Sequence, residues 1–148
     1  GGSLNTAKNT AGSAGTQTSA IVAGGGTPAG PNTATVETYD GSSFTEVADL
    51  NTTRRQLGGA AADNTAALVF GGIVDPGGSN STKTEGYDGT SWGTRPSLGT
   101  ARYALGSASP GTACLAFGGS TPPPAAQTAT EEFTAETTAA NITDFTTS

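Results

Sequence analysis

A pair of glycines closes an apolar segment three times in this chain, at a constant interval of 47 residues. The three segments are Ser19–Gly25, Ala66–Gly72 and Ala113–Gly119. A fixed period of this length is typical of proteins built from stacked copies of one supersecondary unit, because a single small sheet cannot bury both of its faces. The chain is therefore predicted to be one array of three repeats, with approximate bounds 1–49, 50–97 and 98–148.

Other residue types keep the same period, which chance glycine pairs would not do. A leucine recurs with a cation four residues later, at Leu4 and Lys8, Leu50 and Arg54, and Leu98 and Arg102. A glutamate recurs with a ring two residues later, at Glu37 and Tyr39, Glu85 and Tyr87, and Glu131 and Phe133. A second ring follows in the first two copies, at Phe44 and Trp92; the third copy lacks it at that spacing, and Phe145 is the candidate replacement after a small insertion.

Each copy is predicted to contain four antiparallel strands. In the second copy these are Arg54–Ala62, Thr65–Gly71, Thr82–Asp88 and Ser91–Arg95. Thr is β-branched and favours strands, while Gly and Pro supply turns. The dipeptides Asp40-Gly41 and Asp88-Gly89 mark the turn between the third and fourth strands, since Gly tolerates the positive φ of a tight hairpin. The fold class is therefore predicted to be all-β, with three four-stranded sheets.

The stretch between the second and third strands varies most among the copies, and we predict that it forms exposed loops on a common edge. These stretches cover residues 26–32, 73–81 and 120–127, where we expect Pro and Gly to forbid ladder pairing. The candidate contact residues in them are Thr27, Asn32, Asp75, Asn80, Thr121 and Gln127. Asp75 and Asn80 could also bind calcium or a sugar hydroxyl, but an ordinary turn role is the favoured interpretation.

Sheets of this size need neighbours, and radial stacking into a β-propeller is the arrangement that we expect. A three-sheet prism is the alternative. The paired glycines would let a buried strand end at positive φ or let the next sheet approach closely, and the recurring rings would fill the space between sheets. Ordinary closed propellers have four to eight blades. We therefore expect either further repeats in a longer chain or the joining of copies, for example two chains that give six blades.

The pattern of Leu68-Val69-Phe70-Gly71-Gly72 followed by Tyr87 and Trp92 resembles the kelch repeat. Several short segments of the sequence also resemble the Thr-, Ala- and Gly-rich kelch-like arrays of virion structural and tail proteins of marine bacteriophages. The segments that carry this likeness are residues 3–7, 14–18, 87–92 and 130–133. The resemblance implies a virion surface or tail component, located in the virion or outside the cell, that contacts other virion proteins and a glycan or protein of the host surface.

Charge and composition narrow the classes of function. A net charge of −6 argues against nucleic acid as a partner, and no apolar run approaches the ~20 residues of a membrane-spanning helix. The chain has no histidine and one cysteine, so we expect no catalytic triad, no metal site and no cofactor. Cys114 lies in an apolar strand, where a thiol behaves as a small hydrophobic side chain.

The recurring glutamates are the remaining candidates for chemistry. We expect them to pair with Lys8, Arg54 and Arg102 or to be solvated, rather than to act as catalytic acids. The predicted function is a non-enzymatic structural or adhesive module. A sugar-binding lectin is the alternative, although none of the three loops contains an aromatic residue for a sugar to stack on. A hydrolase that uses two carboxylates is the weakest hypothesis.

Overall fold

The computed structural model describes residues 1–108 and 113–134 and the backbone of residues 142–145, all without helix. Its strands are numbered β1 to β17 in chain order. Sheet 1 contains β1 (Gly12–Thr16), β2 (Ser19–Ala23), β3 (Val36–Tyr39) and β4 (Phe44–Val47). Sheet 2 contains β6 (Gly58–Asp63), β7 (Ala66–Phe70), β10 (Thr84–Tyr87) and β11 (Trp92–Arg95). Sheet 3 contains β12 (Gly106–Ala108), β13 (Cys114–Phe117), β16 (Thr130–Phe133) and β17 (Ile142–Phe145).

Two smaller sheets lie outside the three large ones. One is formed by β5 (Arg54–Arg55), β8 (Ile73–Val74) and β9 (Ser79–Asn80), and the other by β14 (Ser120–Thr121) and β15 (Ala125–Ala126). All pairings are antiparallel. In each large sheet the strands are ordered as they occur in the chain, so each sheet is an antiparallel meander.

The four strands predicted for the second copy are observed, with one correction at its start. The expected strand Arg54–Ala62 is two strands, because Arg54–Arg55 pairs with Ile73–Val74 and a new strand in sheet 2 begins only at Gly58. Gln56 separates them with φ of 53°. A positive φ lies outside the β region of backbone conformations, so the strand is interrupted at this residue.

The hydrophobic core is divided between the two spaces where sheets face each other. Between sheets 1 and 2, a cluster is formed by Ile21, Ala23, Val36, Leu50, Leu57, Ala61, Ala67, Val69, Tyr87 and Trp92. Between sheets 2 and 3, a second cluster is formed by Ala60, Leu68, Phe70, Leu98, Leu105, Cys114 and Ala116. Neighbouring residues of β7 thus enter different clusters, because side chains alternate across a strand.

The first strands of the sheets converge, and their small residues permit this. β6 contacts both β1 and β12. A Cβ placed on Gly59 would lie 3.0 Å from the backbone nitrogen of Ser13, so a larger residue would force the two strands apart. The glycine and alanine content of the chain therefore has a structural reason at these strands, in addition to its role in turns.

The paired glycines have the positive φ that the sequence predicts. The angles are 64° and 106° at Gly24 and Gly25, 65° and 92° at Gly71 and Gly72, and 66° and 88° at Gly118 and Gly119. A Cβ on Gly24 would lie 2.6 Å from the Arg54 carbonyl oxygen, and one on Gly71 would lie 2.7 Å from that of Arg102. Glycine is therefore required both for the turn and for the approach of the following repeat.

The loops between the second and third strands are not free of ladder pairing, which corrects the prediction for them. Ile73–Val74 pairs with Ser79–Asn80, and Ser120–Thr121 pairs with Ala125–Ala126. In residues 26–32 only single bridges form, from Gly26 to Asn9 and Asn32. In the second and third loops Pro and Gly are confined to the tips, where no ladder hydrogen bond is needed, so the flanking residues can pair. No helix in the described residues is long and apolar enough to cross a membrane.

Candidate functional site

A buried ion pair lies inside the second repeat. Arg54 Nη2 donates a 2.6 Å hydrogen bond to Glu85 Oε1, and Arg54 Nη1 donates to the carbonyl oxygens of Gly71 and Lys83 at 3.2 and 2.7 Å. The side chains of Arg54 and Glu85 are 0% and 3% exposed. The guanidinium therefore joins the segment before the sheet to the end of β7 and the start of β10.

The third repeat has the same arrangement. Arg102 donates to Glu131 at 2.6 Å and to the carbonyl oxygens of Gly118 and Ala129 at 3.1 and 2.9 Å. In both arginines the Nε atom is buried without a hydrogen-bond partner. This unsatisfied donor is a cost to stability that the bonds of the two Nη atoms offset.

The first repeat uses a lysine in the same place. Lys8 Nζ lies 3.3 Å from Glu37 Oε1 and donates to the carbonyl and hydroxyl oxygens of Thr35 at 3.2 and 3.1 Å. Burial raises the pKa of Glu37. Hydrogen bonds from the backbone amides of Asn5 and Thr6 and the charge of Lys8 together lower it by more, so the pKa lies below its usual value. Glu37 is therefore ionised at neutral pH.

The recurring glutamates are thus bound to cations inside the repeats, as predicted, and are closed to solvent. Burial lowers the pKa of Arg54, and the charge of Glu85 opposes that effect. A second contact of each glutamate was not expected from the sequence. Its other oxygen accepts a backbone amide, from Asn5, Asn51 or Gly99, at 2.6–2.7 Å.

The first and second loops are joined by a polar network. Arg55 Nη1 donates to Asn32 Oδ1 at 2.8 Å, the amide of Asn32 donates to Asp75 Oδ2 at 3.3 Å, and Asn32 Nδ2 donates to the carbonyl oxygen of Ile73 at 3.4 Å. Asn32, proposed from the sequence as an exposed contact residue, is only 7% exposed. It is a link between loops, because its side-chain amide bonds to Arg55 and Ile73 and its backbone N–H bonds to Asp75.

The other candidate contact residues lie in the three loop segments, but Thr27, Thr121 and Gln127 are partly buried rather than exposed. Thr27 bonds to the carbonyl oxygen of Pro31, and Gln127 Nε2 donates to Thr121 Oγ1 at 3.0 Å. Asp75 is exposed, while Asn80 is partly buried and its Nδ2 atom has no partner. The exposed surface of these loops is formed by residues 28–31, 75–79 and 122–126. We define these residues as the loop edge.

The recurring rings lie between sheets in the second repeat. Tyr87 and Trp92 stack with centroids 5.1 Å apart, and Trp92 Nε1 donates to the carbonyl oxygen of Ala48 at 2.9 Å. In the first repeat the centroids of Tyr39 and Phe44 are 4.7 Å apart.

The third repeat departs from the predicted ring pair. The backbone register there places Ile142 opposite Phe133 and Phe145 opposite Thr130. The sequence suggested Phe145 as the equivalent of Trp92, and this register shows that the prediction is wrong. The side chain of Phe145 lies outside the described residues.

A shallow cleft of about 300 Å³ opens where the first strands converge. It is lined by Ser13, Ala14, Gly15, Gly59, Ala60, Ala61, Ser107 and Ala108. The Ser107 hydroxyl donates to the Gly59 carbonyl oxygen at 2.6 Å, so it is already engaged. No group of three or more metal-ligating side chains occurs among residues 1–108 and 113–134. Cleft residues this small offer no charged group to a ligand, and the loop edge is the better candidate for contact.

Comparisons with known proteins support the fold class. No protein-family model matches the chain, and no curated protein matches it either. The solved structure of YjhT is similar, with a TM-score of 0.79 at 15% sequence identity over 97% of this chain. The chain spans about half the length of YjhT, 47% of it. At this identity the likeness concerns the fold alone, and it supports a β-propeller.

Proposed function

We propose that this chain is a non-enzymatic structural and contact module of a bacteriophage particle, located in its tail or on its surface. In this proposal the three large sheets are blades of a kelch-like propeller, and the loop edge makes contact with other virion proteins and with the host surface. The sheets supply rigidity, while the loops supply variation between repeats.

The observation that carries the proposal is the bracing of an exposed loop edge by a buried scaffold. Residues 75–79 are exposed, yet their hairpin pairs with Arg54–Arg55 and is tied to the first loop through Asn32. A loop held in this way loses little conformational entropy on binding, which favours contact at a surface. Binding residues commonly lie on such loops above a rigid framework.

The burial of the recurring glutamates supports a role without catalysis. Glu37, Glu85 and Glu131 are 0%, 2% and 4% exposed and bound to cations. A general acid or base must reach the substrate, so these carboxylates serve the scaffold instead. The assignment to a virion derives from the resemblance of short segments of the sequence to the kelch-like arrays of phage proteins.

The test measures adsorption of the fluorescently labelled chain to cells of marine bacteria. In the test variant, residues 75–79 are replaced by a Gly-Ser stretch of equal length. In the matched control, Gln17→Ala and Thr18→Ala change exposed residues of the turn between β1 and β2, at the opposite end of the strands.

We expect saturable binding that the loop replacement weakens at least about tenfold and the control leaves unchanged. Equal losses in the two variants would contradict the contact role of the loop edge. Displacement of the bound chain by free monosaccharides would instead favour the lectin hypothesis.

A further inference from the structure

Sheet 3 has an exposed apolar face, whereas the equivalent face of sheet 2 is covered. Leu115 and Phe117 are 40% and 41% exposed. Their equivalents one repeat earlier, Leu68 and Phe70, are each 1% exposed and belong to the cluster between sheets 2 and 3. We call the surface of Leu115, Phe117 and Gly118 the tail face.

The glycine pair at the end of β13 is also uncovered. Gly71 and Gly72 are buried, and a Cβ on Gly71 would lie 2.7 Å from the carbonyl oxygen of Arg102 in the next repeat. Gly118 and Gly119 are partly exposed, and a Cβ on Gly118 would meet only the carbonyl oxygen of Gln127, at 3.6 Å. The space filled twice inside the chain by the approach of a following repeat is open here.

Sheet 1 presents the matching surface at the other end of the molecule. Val69, Tyr87 and Trp92 are 2%, 4% and 6% exposed because sheet 1 covers them. Their equivalents Val22, Tyr39 and Phe44 are only partly buried. Val22 points away from sheet 2, since its neighbours Ile21 and Ala23 are in the cluster that faces sheet 2. We call the surface of Val22, Tyr39 and Phe44 the head face.

We propose that the tail face of one copy of this chain binds the head face of a second copy, repeating the contact that joins sheet 1 to sheet 2 and sheet 2 to sheet 3. Both halves of this contact are present on one molecule, which makes the chain itself the occupant with matching shape. The interaction is independent of what the loop edge contacts.

Backbone hydrogen bonds specify the register of the contact. The Gln56 amide donates to the Thr10 carbonyl oxygen at 2.7 Å, and the Ala104 amide donates to that of Gln56 at 2.9 Å. All three residues have positive φ, between 51° and 53°. In the proposed assembly, the Thr10 amide of the second copy donates to the Ala104 carbonyl oxygen, and the Lys8 carbonyl oxygen lies against Gly118.

A head-to-tail contact uses two different surfaces, so it gives a closed ring where the rotation between copies closes and an open row where it does not. Either product has a mass that is a multiple of the chain mass of 14.3 kDa. Such a contact can be recognised with two variants, one blocked at the tail face and the other at the head face. When they are mixed, the free tail face of one can still bind the free head face of the other.

The experiment is sedimentation equilibrium of the 148-residue chain and three variants. Phe117→Asp blocks the tail face, Val22→Asp blocks the head face, and Thr94→Asp adds the same charge at an exposed position of β11, away from both faces. Thermal unfolding followed by circular dichroism verifies that each variant is folded. If Phe117→Asp does not fold, Leu115→Ser replaces it as the tail-face variant. If Val22→Asp does not fold, Tyr39→Ser replaces it as the head-face variant.

We expect the wild-type chain and Thr94→Asp to associate equally, and each blocked variant to associate at least about tenfold more weakly. An equimolar mixture of the tail-blocked and head-blocked variants should form a species of two chains and nothing larger. A wild-type chain that stays monomeric overturns the proposal. Association that persists in both blocked variants, or a mixture that forms no pair, overturns it as well.

Discussion

Sheets 2 and 3 have nearly the same design but different surroundings. Both contain an Arg–Glu pair at 2.6 Å, and both have a phenylalanine that lies over a glycine of the neighbouring strand, Phe70 over Gly58 and Phe117 over Gly106. Yet Phe70 is 1% exposed and Phe117 is 41% exposed. The polar interior of a repeat is therefore complete within the repeat, whereas its apolar face is complete only when another sheet covers it.

This difference divides the stabilising interactions into two kinds. The ion pair joins segments of one repeat, so it should contribute equally in sheets 2 and 3. The aliphatic and aromatic side chains act between repeats, so their contribution should depend on position in the array. Near-additive repeat and interface contributions of this type are characteristic of stacked repeat proteins.

The largest expected effect is the loss of a buried ion pair. Arg54→Leu leaves Glu85 buried without its cation and should lower the free energy of unfolding by about 3–5 kcal/mol. Arg102→Leu should cost about the same, since its contacts are equivalent. Urea denaturation measures both, and the double variant Arg54→Leu with Glu85→Leu should recover part of the loss. A much smaller effect at Arg102 would refute the view that the polar interior is complete within each repeat.

The next effect separates the covered face from the uncovered one. Phe70→Ala removes a buried ring and should cost about 3 kcal/mol, as large-to-small substitutions in cores do. Phe117→Ala removes a ring that is 41% exposed and should cost less than about 1 kcal/mol. Both are measured by urea denaturation at the lowest practical concentration, so that association between copies does not contribute. Equal losses would show that the difference in exposure between Phe70 and Phe117 does not affect the free energy of unfolding.

A smaller contrast is expected at the paired glycines. Alanine at Gly71 must adopt positive φ and also meets the carbonyl oxygen of Arg102, whereas alanine at Gly118 has only the backbone strain. The strain is about 1–2 kcal/mol for an L-residue in the left-handed region. Gly71→Ala should therefore destabilise the chain more than Gly118→Ala in thermal unfolding. The reverse order would contradict the close approach of the following repeat at Gly71.

The two faces of β13 should also differ in chemical reactivity. Burial raises the pKa of the Cys114 thiol to about 12, so at pH 8 the thiol is protonated and closed to reagents. Iodoacetamide should label it in urea but only slowly in the native chain. In the variant Cys114→Ser with Leu115→Cys, the new thiol lies on the exposed face and should react quickly. Fast native labelling of Cys114 would place that side chain outside the core.

Much of the architecture could be read from the period of the sequence. The glycine pairs identified six of the residues with positive φ, and Asp40-Gly41 and Asp88-Gly89 identified the turns that connect β3 to β4 and β10 to β11. In these turns Asp40 and Asp88 accept amide hydrogen bonds from the residues two and three positions later. These features are local, so the residue type alone carries the information.

Other features left no signal in the sequence. Thr10, Gln56 and Ala104 share positive φ but no residue type, because hydrogen bonds between repeats hold them in that conformation. The burial of Asn32 depends on Arg55 and Ile73, which lie 23 and 41 residues away. The register of β17 depends on pairing with β16, and spacing alone misplaced Phe145. Each of these is decided by a partner distant in the chain.

The amino-acid sequence by itself determined that a unit of sheet occurs three times, where its glycines turn, and that each unit carries one recurring cation and one recurring glutamate. These follow from residue chemistry and a period that can be counted. Only the tertiary structure decided which apolar face is covered, because Leu68 and Leu115 are the same residue in the same strand position and differ only in having a neighbouring sheet. Burial is a property of the packed assembly, so it becomes visible only when the sheets are placed together.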